Sequence, residues 1–228
     1  MKPTEATAKG QIFFAPVVPF DWGKDTWIKL DFTAENQELI KQNLLDTASF
    51  ADYVFAGLKN ARAVCGVGGY NEHRVLYRRS AHFNAAEEEP REIHLGIDIW
   101  AAAGTPVSAP LDGVIHSFRD NARFGDYGPT ILLEHHVNEE TFYTLYGHLS
   151  RASLDGRKTG QVIRAGEVFA AFGPFPENGD WPPHLHFQVI RDLQGWSGDY
   201  PGVCALSRRS EFLANCPDPN KILGIPGL

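Results

Sequence analysis

The segment Trp181-Pro182-Pro183-His184-Leu185-His186-Phe187-Gln188-Val189-Ile190 constrains the chain most. Apolar and polar residues alternate through it, the period-two pattern that predicts a half-buried strand. Successive strand side chains point to opposite faces. Leu185, Phe187 and Val189 therefore share one face, and His184, His186 and Gln188 the other. The two prolines stiffen the entry and start the strand sharply. A single histidine on a strand is usually a hydrogen-bonded structural residue. Two imidazoles at i, i+2 are close enough to serve one site, provided that a partner exists elsewhere.

Arg91-Glu92-Ile93-His94-Leu95-Gly96-Ile97-Asp98-Ile99-Trp100 supplies that partner. Its β-branched and aromatic residues predict a strand over Ile93–Ile99, with His94, Gly96 and Asp98 on one face. Glycine between the two polar residues leaves room for a group to sit over the backbone. A further histidine, His148, follows an aromatic-rich strand in Tyr143-Thr144-Leu145-Tyr146-Gly147-His148. Two imidazole nitrogens and a carboxylate oxygen suit Zn²⁺, and three protein ligands leave one position open, as in a catalytic site. With at most three ligands among five candidates, two histidines remain for proton transfer and for stabilising an oxyanion.

The rest of the chain fits an ordinary soluble globular protein. Of 228 residues, 43% are apolar and 21% charged, which allows one large domain or a domain with an extension. A formal net charge of −7 argues against nucleic acid and anionic surfaces as partners. Cys65, Cys204 and Cys216 are odd in number and lack CxxC spacing, which fits free thiols in a reducing compartment. A Cys204–Cys216 bridge stays open. No apolar run has the length of a membrane span, and the start does not read as a signal peptide, so a cytoplasmic protein is expected.

Residues 1–32 read as extended, proline-punctuated chain. Leu39, Ile40, Leu44 and Leu45, then Phe50, Tyr53, Val54 and Leu58, recur at helical spacing, and Asp46 or Thr47 is placed to cap a second helix. Gly57 and Gly66-Val67-Gly68-Gly69 break the helical pattern. Beyond Gly69 the texture is β throughout, with strands expected at 74–77, 93–99, 106–109, 113–119, 130–136, 141–146, 161–163, 168–172 and 184–191. The expected organisation is a partly helical N-terminal extension over 1–65 and a β domain over 66–228. The fold class is mainly β, an antiparallel sandwich or barrel.

His94-x-x-x-Asp98, Tyr146-Gly147-His148 and His184-x-His186, in that order, resemble the lysostaphin-type (LytM-like) zinc metallopeptidases. Gly104-Thr105-Pro106-Val107, Ala109–Val114 and Gly160–Glu167 resemble that family's framework, and the likeness covers about residues 91–192. The resemblance implies a β-rich core of swapped hairpins with a groove that cleaves peptide bonds, often in bacterial wall peptides. It implies one Zn²⁺ per chain held by His94, Asp98 and His186, with His148 and His184 catalytic. Arg123, Tyr146 and Trp181 are candidates for the groove walls, since loops flanking a site often carry contacts.

Gly68–Arg74, Trp181–His184, Gly198–Gly202 and Cys216–Asn220 are similar to a narrower branch. There the peptidase-like domain is fused between kinase-like and class III aminotransferase-like domains, which implies an intracellular setting and leaves the substrate open. His73, His82, His116, His135 and His136 show no partner and are read as structural. Two rival functions remain. A non-catalytic binding module would keep the groove but typically lose metal ligands, whereas all three are present. Val107–Val114 and Val162–Val168 are similar to biotinyl or lipoyl carrier hairpins, but Lys158 lacks the methionine neighbour that such a carrier displays.

Overall fold

The computed structural model describes residues 12–44, 46–79 and 89–228. Strand β1 (Trp27–Leu30) leads through helices α1 (Gln37–Ile40) and α2 (Thr47–Ala61) into β2 (Cys65–Gly68). Then come β3 (Arg91–His94), β4 (Ile97–Trp100), β5 (Pro106–Ser108), β6 (Gly113–Asn121) and β7 (Gly128–Val137). After these lie β8 (Glu140–Gly147), β9 (Val162–Ile163), β10 (Val168–Ala171), β11 (His184–Ile190) and β12 (Val203–Ala205). Two short helices follow, α3 (Arg209–Asn215) and α4 (Asn220–Leu223).

Eight strands form one sheet in the order β1-β2-β4-β11-β8-β7-β6-β9, while β10 pairs with β5 and β12 with β3. The fold is mainly β, as expected, and among the described residues every ladder but one is antiparallel. The exception is the parallel β1–β2 pair. Parallel neighbours need a crossover, which α1 and α2 supply.

Helix α2 begins where Asp46 accepts the Ser49 backbone N–H at 3.0 Å and ends at Arg62 in the left-handed conformation, φ 54°. Phe50, Val54 and Leu58 recur every fourth residue and are buried. They meet Leu30, Phe32 and the site tryptophans Trp100 and Trp181 in one cluster. Leu45, also expected in the helical stripe, lies outside the described residues.

The main core lies on one face of the sheet, where Leu185 pairs with Ile99 and Phe187 with both Ile97 and Tyr146. On the opposite face His186 pairs with Asp98 and with Gly147. Strand alternation therefore sorts core from site as the sequence implies, with one correction. Strand β11 is buried along its whole length, not half-buried, because residues 200–216 cover the histidine face. There Gln188 donates to the Pro201 carbonyl and to Cys216 Sγ.

Other expectations change too. The single strand over Ile93–Ile99 is two strands in different sheets, β3 and β4, broken at Leu95-Gly96. The strand at Arg74–Tyr77 is instead a 3₁₀ turn over Val75–Arg79. Arg74 and Tyr77 bond each other at 3.2 Å, and side chains three apart meet on a helical turn rather than on a strand. The glycine-rich 65–68 stretch is a strand whose bare backbone admits Leu30, Leu58, Phe32 and Arg74. Strands β1 and β12 and helices α3 and α4 carried too short a pattern to be expected. Among the described residues, no helix is long and apolar enough to cross a membrane.

Candidate metal centre

His94 ends β3, Asp98 lies in β4 and His186 in β11. Residues four apart on a straight strand stand about 13 Å apart, yet Asp98 Oδ1 lies 3.2 Å from His94 Nε2. The break at Leu95-Gly96 folds the chain so that the two meet. A Cβ on Gly96 would sit 2.6 Å from the His186 ring, so glycine there makes room for the third member. His186 Nδ1 is 3.0 Å from His94 Nε2 and 3.0 Å from Asp98 Oδ1.

The outer atoms of these side chains are already engaged. His94 Nδ1 donates to the Gly69 carbonyl at 2.8 Å. His186 Nε2 donates to Gln188 Oε1 at 2.9 Å. Asp98 Oδ2 accepts from the Arg74 guanidinium. A neutral imidazole that donates through one nitrogen offers a lone pair at the other. His94 Nε2, His186 Nδ1 and Asp98 Oδ1 are thus three acceptors facing one another with no proton between them. Such a triangle is repulsive unless a cation fills it. Donors 2.0–2.1 Å from a tetrahedral zinc would stand about 3.3–3.4 Å apart, close to the observed spacing, so the donor set fits the ion.

Burial raises the Asp98 carboxyl, but the neighbouring His94 and the Arg74 guanidinium hold it well below the ordinary carboxylate range. Burial, aided by the Arg74 charge, pushes His94 down to about 3. All five candidate residues are at most 5% exposed.

His148 and His184 stand beside this triangle. His148 has a left-handed backbone, φ 60°, unusual for a non-glycine residue and frequent at functional sites. Its Nδ1 donates to the Asn178 carbonyl at 2.8 Å, and His184 Nδ1 donates to the Pro182 carbonyl at 2.8 Å. Each ring therefore keeps Nε2 as an acceptor. The two rings lie 4.0 Å apart, and Trp100 stacks on the other side of His184. Burial pushes His184 down to about 4 and His148 well below its ordinary value.

Trp181 lines the cleft over these residues, together with Tyr127, Trp196 and Tyr200. The cleft has room for about 130 Å³. Tyr146 does not line it. Pairing with Phe187 puts Tyr146 on the core face, where its ring packs on Phe169 and Phe187. Arg123 is exposed two residues before Gly125, which does line the cleft. The remaining histidines have local partners: His73 with Glu92, His116 with Ser117, His135 with Asp112 and Thr144, and His136 with Glu134. His82 lies outside the described residues.

The supporting residues Gly69, Arg74, Asn178 and Gln188 were not singled out as part of the site from the sequence. Only Gln188 carried a signal, sharing the strand face of His184 and His186.

A sequence model of peptidase family M23 matches residues 92–197, a little under half of the chain. The match supports the M23, lysostaphin-type family for that segment. The L-Ala--D-Glu endopeptidase of Bacillus subtilis is 35% identical over 126 residues, covering 52% of this chain and 36% of that protein. The DD-carboxypeptidase/endopeptidase Mpg of Neisseria meningitidis serogroup B is 34% identical over 135 residues, 58% of this chain and 29% of that protein. Among solved structures, the catalytic domain of lysostaphin from Staphylococcus simulans is 26% identical, with a TM-score of 0.40 over 58% of this chain and 80% of that one. The chain spans about a third of the length of these two curated relatives.

Proposed function

We propose that this protein is a zinc-dependent metallopeptidase that hydrolyses an amide bond in a peptide or peptide-like substrate. One Zn²⁺ per chain would be held by His94 Nε2, Asp98 Oδ1 and His186 Nδ1. The observation that carries the reading is the convergence of these three lone-pair donors, each fixed by a hydrogen bond on its far side. When bound, zinc supplies a Lewis acid that polarises a carbonyl and lowers the pKa of water towards about 7. His148 and His184 supply the proton transfer. Both are neutral acceptors at Nε2, so one takes the proton of the attacking water and hands it to the leaving nitrogen. The other aligns that water. With Nδ1–H of each ring given to a carbonyl, a neutral ring has no proton at Nε2 to donate to an oxyanion, so the oxyanion role expected of one of them requires its protonated form.

The named activities of the relatives make peptides with L-Ala–D-Glu and D,D bonds the first substrates to test. Three buried, unbridged cysteines and the likeness to the fused branch favour a cytoplasmic setting. The test combines metal analysis with cleavage of a short-peptide panel by wild type, His94→Ala and His148→Ala. The expected result is about one zinc per wild-type chain, zinc lost in His94→Ala, and zinc kept but cleavage lost in His148→Ala. A folded wild type that takes up no zinc overturns the reading. So does zinc-loaded protein that binds the panel without cleaving it, the behaviour of a non-catalytic binding module.

A further inference from the structure

Arg74 lies ahead of the segment that matches the family, yet it is 1% exposed and reaches the metal triangle. Its Nη1 donates to Asp98 Oδ2 and to the Tyr77 hydroxyl, its Nε to Glu72 Oε2 at 2.7 Å, and its Nη2 to the Gly69 carbonyl at 3.2 Å. The same Gly69 carbonyl accepts His94 Nδ1. One guanidinium therefore holds one donor directly and shares an acceptor with a second. The fold makes room for it: a Cβ on Gly68 would lie 2.7 Å from Arg74 Nη2. Phe32 covers its other side, 5.1 Å from ring centre to guanidinium carbon.

We infer that Arg74 is a positioning residue for the metal centre, keeping Asp98 a one-oxygen ligand so that a coordination position stays free for substrate. A carboxylate beside a divalent ion can bind through one oxygen or both. Here Oδ2 is engaged by Nη1 of the buried Arg74 guanidinium, and Oδ1 faces His94 Nε2 and His186 Nδ1. Guanidinium suits this task because it is always charged and its donors are fixed in a plane, whereas an ammonium acts as a point charge. Glu72, the second carboxylate on Arg74, offsets the added positive charge and holds the fork in place. The inference rests on the zinc reading above but concerns how Asp98 binds.

Cobalt substitution tests it, because Co²⁺ absorption reports coordination number without reference to turnover. Metal-free wild type, Arg74→Gln and Arg74→Lys would be loaded with Co²⁺, alongside the charge-neutral double variant Arg74→Met/Glu72→Gln. The expected result is intense four-coordinate bands in wild type. Absorptivity should fall several-fold in Arg74→Gln and in the double variant, where Asp98 is free to close with both oxygens. Arg74→Lys should lie between.

Folded variants with the wild-type spectrum overturn the inference and leave the zinc reading intact. X-ray absorption on zinc-loaded wild type decides the matter even if every variant misfolds. A carboxylate bound through one oxygen supports the inference, and one bound through two overturns it. Wild type that binds neither ion overturns the zinc reading and the inference together.

Discussion

Trp100 lies flat on His184, with ring centres 3.8 Å apart and planes 11° from parallel. His148 closes the stack from the opposite side, so the imidazole is held between two rings and turns only if one of them moves. Among the described residues Trp100 Nε1 has no hydrogen-bond partner, so the indole serves through its face. Trp100→Phe should keep peptide cleavage near wild type. Trp100→Leu removes the face and should lower kcat on the order of tenfold to a hundredfold, the scale of a small misplacement of a catalytic group. Zinc content should not change in either, since the imidazole that Trp100 stacks on is His184 and not one of the three donors. Equal kcat in the two variants would deny the stack its role.

Gly96 is the narrow point of the centre. A methyl there would meet the His186 ring at 2.6 Å and the Phe187 carbonyl at 2.8 Å. Gly96→Ala should cost about 1–3 kcal/mol of stability and weaken zinc binding on the order of tenfold or more. Chelator competition and thermal unfolding on one preparation check both values.

Acid should destabilise the metal-free protein earlier than its carboxylates alone would require. His184 and His94 are held neutral by burial down to about 4 and about 3, against an ordinary value of 6.5. Once unfolded they take up protons near that ordinary value. Between pH 6.5 and these lower values the unfolded chain binds more protons, so stability falls as pH falls. Each group contributes a slope of about 1.4 kcal/mol per pH unit within its window. His148 and His135, also lowered by burial, add to the trend. Urea midpoints that stay constant from pH 7 to pH 5 would contradict neutral burial of these rings.

Helix α2 stabilises the site from behind. Phe50 is fully buried, with ring centres 5.6 Å from Trp100 and 6.4 Å from Trp181. Phe50→Ala should cost about 3–5 kcal/mol, the range for truncating a buried aromatic ring. Denaturant unfolding measures that loss. Trp100 and Trp181 lose a packing neighbour in the same step, so tryptophan fluorescence should shift as well.

Much of the fold was legible where one strand carries a clear period. In β11 the alternation placed Phe187 towards the core and His186 towards the donors, and the strands from 106 to 171 lie within about two residues of their expected ends. Tyr146 was misplaced because its aromatic character suggested a groove wall while the register, pairing it with Phe187, puts it in the core. Strand β2 was illegible because two of its four residues are glycine, and what fills the space above them comes from Leu30, Leu58, Phe32 and Arg74. The meeting of His94 and Asp98 arises from the break between β3 and β4, which period-two counting cannot express. Arg74 and Gly69 act through contacts that only the folded chain assembles.

The β1–β2 pair bears on how the protein can be cut. Strand β4, which carries Asp98, has β11 on one flank and β2 on the other. An excised fragment holding only residues 92–197 would lose β1, β2, Gly69 and Arg74 together. Its β4 would then present bare amides along an open margin, inviting chain-to-chain pairing and precipitation. Recombinant work on the portion that carries the candidate metal centre therefore has to begin upstream of Trp27, well before His94.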